Sequence, residues 1–159
     1  MSRIITQGLE GGIIRSFGLA EEYLRVCPEN IRDKKFGGWP VWQQLLHAFT
    51  AVDFFLPPTG GTPEPSGIDP DVARLKSTPA TPMSKLALED LLSKTQDKVA
   101  KYIAAMDDAK LAQKHEALSS YFGRDVSQAE ALALIASHTM YHLGSCDAAL
   151  REHGLPGVF

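Results

Sequence analysis

Apolar side chains recur at steps of three and four residues along four stretches of the chain, which is the period of an amphipathic α-helix. The first predicted helix runs from about Ile4 to Val26 and the second from Pro40 to about Phe55. Their apolar faces carry Ile13, Phe17, Ala20, Leu24 and Cys27 in the first, and Trp42, Leu45, Phe49, Val52 and Leu56 in the second. Between them, residues 29–38 are predicted to form a polar connector.

The third predicted helix begins between Thr81 and Ser84 and continues to about Met106. Its helical period is carried by Leu88, Leu91, Leu92, Thr95, Val99, Tyr102, Ile103 and Met106. Residues 109–126 have no clear period, and we expect a short turn and an extended piece there. His115 is predicted to lie at the surface.

The fourth predicted helix, from about Ser127 to His153, has the clearest start in the chain. Ser127-Gln-Ala-Glu130 is a capping-box sequence, in which the two side chains satisfy free backbone amides of the first turn. Gly154 is predicted to follow the C-cap. His153, in the last turn, complements the helix dipole.

The connection from residue 57 to residue 82 holds seven of the ten prolines. A connection this long is unusual inside a compact domain. Asp69 followed by Pro70 predicts a single helical turn with Asp69 as its N-cap. Because two helices on either side are too few to fold alone, we interpret 57–82 as an ordered crossover within one domain, residues 1–159. The prediction is an all-α four-helix bundle with a long crossover between the second and third helices.

The composition is that of an ordinary globular protein, with 44% hydrophobic residues, 22% charged residues and a formal net charge of −3. The chain has no run of Lys and Arg, which argues against nucleic acid as a partner. It has no signal-peptide pattern and no apolar stretch long enough to span a membrane. Cys27 and Cys146 form no CxxC unit. We therefore expect a cytoplasmic protein with reduced thiols.

His138 and His142 lie four residues apart on the fourth predicted helix, so their rings stack one turn above the other on one face. That face also carries Ala131, Leu134, Ile135, Ser145, Cys146 and Ala149, which points both histidines toward the interior. The spacing suits a metal that takes imidazole nitrogen, with zinc as the first expectation. The alternative is two unrelated histidines, since the chain has five.

Two histidines are incomplete for zinc, and His47 is the other histidine placed in the middle of a predicted helix. It lies nearly opposite the apolar stripe of the second helix. Either His47 faces solvent, which the sequence alone slightly favours, or this helix has a second face that lines a pocket. Three imidazoles would leave one position on the ion for water or substrate, as in catalytic sites. Cys146 is predicted to be a small buried apolar residue rather than a ligand.

Three stretches resemble the DinB/YfiT-like family of metal-binding four-helix bundles. Trp42-Gln-Gln-Leu-Leu-His47 is similar to the second-helix histidine segment of that family, His138-Thr-Met-Tyr-His142-Leu-Gly144 to its H-x-x-x-H-x-G motif, and Leu150-Arg-Glu-His-Gly154 to its usual helix ending. The resemblance implies an up-down-down-up bundle and frequently a homodimer. It also implies a divalent ion on His47, His138 and His142, with zinc expected first and nickel or another metal as alternatives.

Two kinds of function are considered, of which the resemblance implies the first. The first is an enzyme, because relatives include S-transferases that use low-molecular-weight thiols of the bacillithiol or mycothiol type; the ion would activate a thiol, or water, toward a small-molecule substrate. The second is a non-catalytic bundle that binds a metal or ligand or serves as an interaction module. Asp53, Glu130 and Arg151 are candidates for substrate-binding or supporting groups, although each is more often a surface or capping residue. The sequence has no HExxH and no Glu-x-x-His unit, so zincin and di-iron sites are unsupported, and catalytic residues stay unassigned.

Overall fold

Helices make up most of the chain in a computed structural model that describes residues 2–56 and 67–159, which confirms the predicted all-α class. In chain order the elements are α1 (Ile4–Val26), α2 (Glu29–Arg32), β1 (Lys35–Phe36), β2 (Trp39–Pro40), α3 (Val41–Thr50), α4 (Val52–Phe55), α5 (Pro70–Ala73), α6 (Lys85–Ala104), α7 (Asp108–Leu111), α8 (Glu116–Phe122) and α9 (Gln128–Glu152). No helix in the described ranges is long and apolar enough to cross a membrane.

The predicted apolar stripes meet in one core. Helix α1 packs against α6 and α9, and α3 packs against the same two helices. The stripe predicted for the second helix is buried at every position, namely Trp42, Leu45, Phe49, Val52 and Leu56. Hydrophobic burial of this kind is the main term that holds helices whose own propensity is modest. The up-down-down-up order, the single domain and the homodimer stay predictions.

Helix α9, which carries two of the candidate metal ligands, is capped at both ends. The Ser127 hydroxyl accepts a hydrogen bond from the Glu130 amide at 3.1 Å. The other half of the predicted capping box is replaced, because the Glu130 carboxylate pairs with Arg124. At the C-terminus, Gly154 has a φ of 75°. The amides of residues 154 and 155 donate to the carbonyls of residues 151 and 150 at 3.0 and 3.1 Å. This is the Schellman pattern, which satisfies carbonyls left open by the helix end.

The polar connector predicted over residues 29–38 is more structured than expected, because it contains α2, β1 and the turn that leads to β2. Gly37 and Gly38 form the tip with φ values of 61° and 95°. Positive φ at both central residues is what a two-residue hairpin turn requires, and two glycines provide it without strain. Gln44 holds the hairpin from inside, since its amide nitrogen donates to the carbonyls of Phe36 at 2.6 Å and Trp39 at 3.2 Å.

The prediction of a short turn and an extended piece over residues 109–126 is wrong, because this stretch covers most of α7 and all of α8. Leu111 and Leu118 are buried and fix both short helices to the core. His115, predicted at the surface, is only 1% exposed. Its Nδ1 accepts from the Leu118 amide at 3.2 Å, and its Nε2 donates to the Phe55 carbonyl at 3.0 Å. His115 therefore caps α8 and ties it to the end of α4, a position with no sequence periodicity to reveal it.

The predicted helical turn in the crossover is confirmed as α5. The Asp69 carboxylate accepts from the Asp71 amide at 2.8 Å, with Pro70 at the first helical position. The predicted stop of the second helix at Pro57-Pro58, and the part of the crossover from 57 to 66, lie outside the described residues.

Replacing Ser127 by alanine is expected to lower the free energy of unfolding by about 1 kcal/mol, because the Glu130 amide loses its acceptor. Urea titration measures the change. The matched control is Ser137→Ala, an exposed position within α9 where alanine is the better helix former. Equal stability of the two variants would contradict the assigned cap.

Candidate metal centre

The side chains of His47, His138 and His142 come together between α3 and α9. The ring centroid of His47 lies 5.0 Å from that of His138 and 4.7 Å from that of His142. The two α9 rings are 4.7 Å apart. One ring nitrogen from each residue lies within 4.8 Å of the others. The structure thus brings together all three of the residues that the sequence proposed as ligands.

His47 is half-buried, so the interpretation of a solvent-facing histidine is wrong. The apolar stripe of α3 does face the core, but the opposite side of this helix is covered by α9 and α5 rather than by solvent. The Nδ1 atom of His47 lies 2.8 Å from the Ala73 carbonyl at the end of α5. A carbonyl only accepts, so Nδ1 carries a proton, and in the neutral form of the ring Nε2 keeps its lone pair.

The two histidines of α9 have buried nitrogens without a partner. Among the described residues, three of the four buried side-chain polar atoms with no hydrogen bond belong to His138, Thr139 and His142. Buried polar atoms are nearly always paired in folded proteins, so such a concentration indicates a missing partner. The Nδ1 atoms of His138 and His142 are both in this set.

This donor set fits a divalent ion of the zinc type. Imidazole nitrogen binds zinc at about 2.0–2.1 Å, so two ligand atoms on one ion are at most about 4 Å apart. The three ring nitrogens, within 4.8 Å of one another, lie close to that limit. Imidazole is also a ligand type that zinc, nickel and copper accept readily.

Burial keeps the two α9 rings neutral. It lowers the pKa of His138 from 6.5 to about 4, with the nearby His47 ring contributing less. Burial likewise lowers the pKa of His142 from 6.5 to about 3, followed by the effects of His138 and His47. A metal ligand must offer a deprotonated nitrogen. Both rings are therefore in the neutral form that a metal ligand requires at neutral pH.

Aromatic side chains flank the cluster, a feature that the sequence analysis missed. The Phe55 ring contacts His138 at 5.4 Å between centroids, and the Tyr141 ring contacts His142 at 5.1 Å. Phe55 is buried, whereas Tyr141 is 75% exposed. The cluster therefore has an apolar wall on the α4 side and an exposed aromatic ring on α9. Tyr141 is within the quoted histidine motif, but nothing in its spacing distinguishes it from a surface residue.

The other polar candidates from the sequence have structural partners. Asp53 pairs with Lys98, and Glu130 pairs with Arg124. Arg151 bonds the buried carboxylate of Asp147 at 2.7 Å. These contacts agree with surface or capping roles for Asp53, Glu130 and Arg151.

Arg151 also bonds the carbonyl of the C-terminal Phe159 at 2.8 Å. Cys146 is fully buried, and burial raises the pKa of its thiol above the usual range. It is therefore the small apolar core residue that the sequence predicted.

The family model for the DinB superfamily matches residues 17–146, a range that contains all three histidines. The chain belongs to the DinB superfamily. Comparisons with curated proteins and with solved structures return no significant match. For this DinB protein, membership and the three-histidine cluster together are compatible with binding of a divalent metal.

In the absence of metal, the DinB chain is expected to lose stability as the pH falls from about 6.5 toward about 4. The folded-state pKa values of His138 and His142 lie below the unfolded value, so the unfolded chain binds more protons in this window and acid favours unfolding. Urea titrations at stepped pH measure the slope. The double variant His138→Gln/His142→Gln lacks both groups and should show a shallower slope. Identical slopes in the wild type and the double variant would contradict the attribution of this pH dependence to His138 and His142.

Proposed function

We propose that this protein binds one divalent metal ion, zinc in the first place, through His47, His138 and His142. We further propose that the centre activates a small thiol, in the manner of an S-transferase, or water toward a small-molecule substrate. The observation that supports this most directly is the meeting of three imidazoles from two helices with buried nitrogens that lack a partner.

His47, His138 and His142 would hold the ion, which would lower the pKa of a thiol or a water bound to it and so supply a nucleophile at neutral pH. The chain's own contribution is to hold the three rings close together and to keep those of α9 neutral. His138 and His142 stay neutral through burial. The Ala73 carbonyl orients the His47 ring through its Nδ1 atom. Phe55 places a buried aromatic ring against His138 on the α4 side.

A thiol is the better supported nucleophile of the two. A free thiol of the cysteine type has a pKa near 8.5, against 15.7 for water, so a thiol needs less help in losing its proton. The carboxylates that the sequence offered as proton-handling groups, Asp53 and Glu130, are engaged in ion pairs. A centre whose candidate bases are engaged in ion pairs favours the more acidic nucleophile. The resemblance to thiol S-transferases points the same way.

The same ion pairs support a second candidate function, a bundle that binds a metal or small ligand without catalysis. Such a protein needs the three histidines but no proton-handling group. The two functions separate by turnover rather than by metal content.

Purified protein is expected to contain about one zinc ion per chain, since three imidazoles make one site. At a free zinc concentration of about 100 times Kd, the free energy of unfolding should rise by about 2.7 kcal/mol. His138→Ala should lose the metal. The matched control is His153→Ala at the C-cap of the same helix, where the His153 ring bonds the Ala149 carbonyl at 2.8 Å and lies outside the cluster. Elemental analysis and thermal unfolding give both readouts.

Conjugation of a low-molecular-weight thiol to an electrophile is then followed with and without chelator. Turnover that chelator abolishes, and that His153→Ala retains, supports the enzyme. Full metal occupancy with no turnover across a broad panel of thiols and esters would leave the non-catalytic bundle. If His138→Ala keeps its metal, the assignment of the metal ligands is wrong, and both proposed functions lose their basis.

A further inference from the structure

We propose that Gln43 is a positioning residue for the metal centre. It holds the end of α5 against α3, so that the Ala73 carbonyl sets the tautomer of His47. The inference rests on the proposed function, because it assigns a role toward the same metal, but part of its test needs no metal.

Gln43 lies one turn before His47 on the same face of α3 and is completely buried. Its amide nitrogen donates to the Val72 carbonyl at 2.9 Å and to the Ser77 carbonyl at 2.5 Å. Its amide oxygen accepts from the Thr78 hydroxyl at 2.8 Å. Both donors of the amide and one acceptor site are used. A buried amide is costly to desolvate unless it is paired in this way.

All three partners of Gln43 lie between residues 72 and 78, in the second half of the crossover. This stretch has a defined conformation. Asp69 caps α5, the Val72 side chain is buried, and Leu75 has a φ of 58°, in the left-handed region. A leucine rarely adopts this conformation unless its surroundings hold it there. Backbone amides of residues 76 and 77 close the turn on the Asp71 carbonyl at 2.8 and 3.3 Å.

The effect on the site passes through a single backbone atom. The Ala73 carbonyl is at the C-terminal end of α5, where no following turn supplies an intrahelical donor. It accepts from His47 Nδ1 at 2.8 Å, which in the neutral form of the ring leaves the Nε2 lone pair free. Such an outer contact orients a ligating imidazole and selects its tautomer, and its loss typically costs 10–100-fold in metal affinity. Gln43 thus acts on the metal through the crossover rather than by touching the ion.

The chain offers a matched control in the next residue. Gln44 is also buried on α3, and its amide nitrogen also donates to two backbone carbonyls. Those carbonyls belong to Phe36 and Trp39 of the hairpin, so Gln44 supports a different element. Gln43→Met and Gln44→Met remove the same kind of group from the same helix at similar size.

The test measures zinc affinity by chelator competition for the wild type and both variants. Gln43→Met is expected to bind zinc about tenfold or more weakly than Gln44→Met, which should remain close to the wild type. Equal affinities of the two variants would overturn the inference while leaving the proposed function in place. A wild type that binds no zinc would overturn the proposed function itself.

The second readout is the tautomer of His47 in metal-free protein at mildly alkaline pH. Long-range proton–nitrogen NMR spectra identify the protonated ring nitrogen, and His47→Gln assigns the signals. The wild type and Gln44→Met should show the Nδ1–H form, whereas Gln43→Met should shift toward the Nε2–H form. An unchanged tautomer in Gln43→Met would overturn the inference whether or not zinc binds.

If Gln43→Met does not fold, Thr78→Val provides the test. Thr78 is exposed, and the substitution removes only its hydrogen bond to the Gln43 oxygen. We expect a smaller shift in the same direction in both the tautomer and the zinc affinity. Wild-type values in both measurements would contradict the positioning role.

Discussion

The three-histidine cluster depends on the packing of α3 against α9, because this packing places His47 opposite His138 and His142. Neither helix carries a metal site alone. The spacing of four residues on α9 supplies two imidazoles on one face, and the third must come from another element. The contact is held by the buried stripe of α3 and by a helix α9 that is capped at both ends. Burial at this contact also keeps the α9 rings neutral.

Two neighbouring glutamines show how the polar side of α3 is organised. Gln44 is hydrogen-bonded to the β-hairpin, and Gln43 is hydrogen-bonded to the second half of the crossover, residues 72–78. Each glutamine holds a connecting segment of the chain against α3, the helix that carries His47. The crossover is therefore more than a chain connection between helices, because its Ala73 carbonyl reaches the His47 ring directly. The long connection thus contributes directly to the geometry of the histidine cluster.

Much of this was accessible from sequence because it depends on period and spacing. The four helical stretches, the Asp69 cap and the Ser127 cap follow from local rules, and the structure agrees on them, except that the second stretch is divided into α3 and α4. The three histidines were also identified, although the spacing alone slightly favoured a solvent-facing His47. That preference was wrong because helical geometry gives a residue's direction but not the element that covers it.

Other features depend on contacts between distant parts of the chain. His115 is buried because it joins α8 to the Phe55 carbonyl, 60 residues away in sequence. Gln43 reads as one more polar residue until its partners at 72, 77 and 78 are seen. The hairpin was missed although its signal was present, since two adjacent glycines between Phe36 and Trp39 are typical of a tight turn.

The central claim is that three imidazoles from α3 and α9 hold one metal ion. X-ray absorption spectroscopy of the zinc-loaded protein tests it most directly, because zinc–nitrogen and zinc–sulfur distances differ by about 0.2–0.3 Å and imidazole has its own multiple-scattering signature. The account predicts a spectrum with three imidazole ligands in the wild type and the loss of that spectrum in His47→Ala. A sulfur ligand in the wild type, or a spectrum unchanged by His47→Ala, would contradict it.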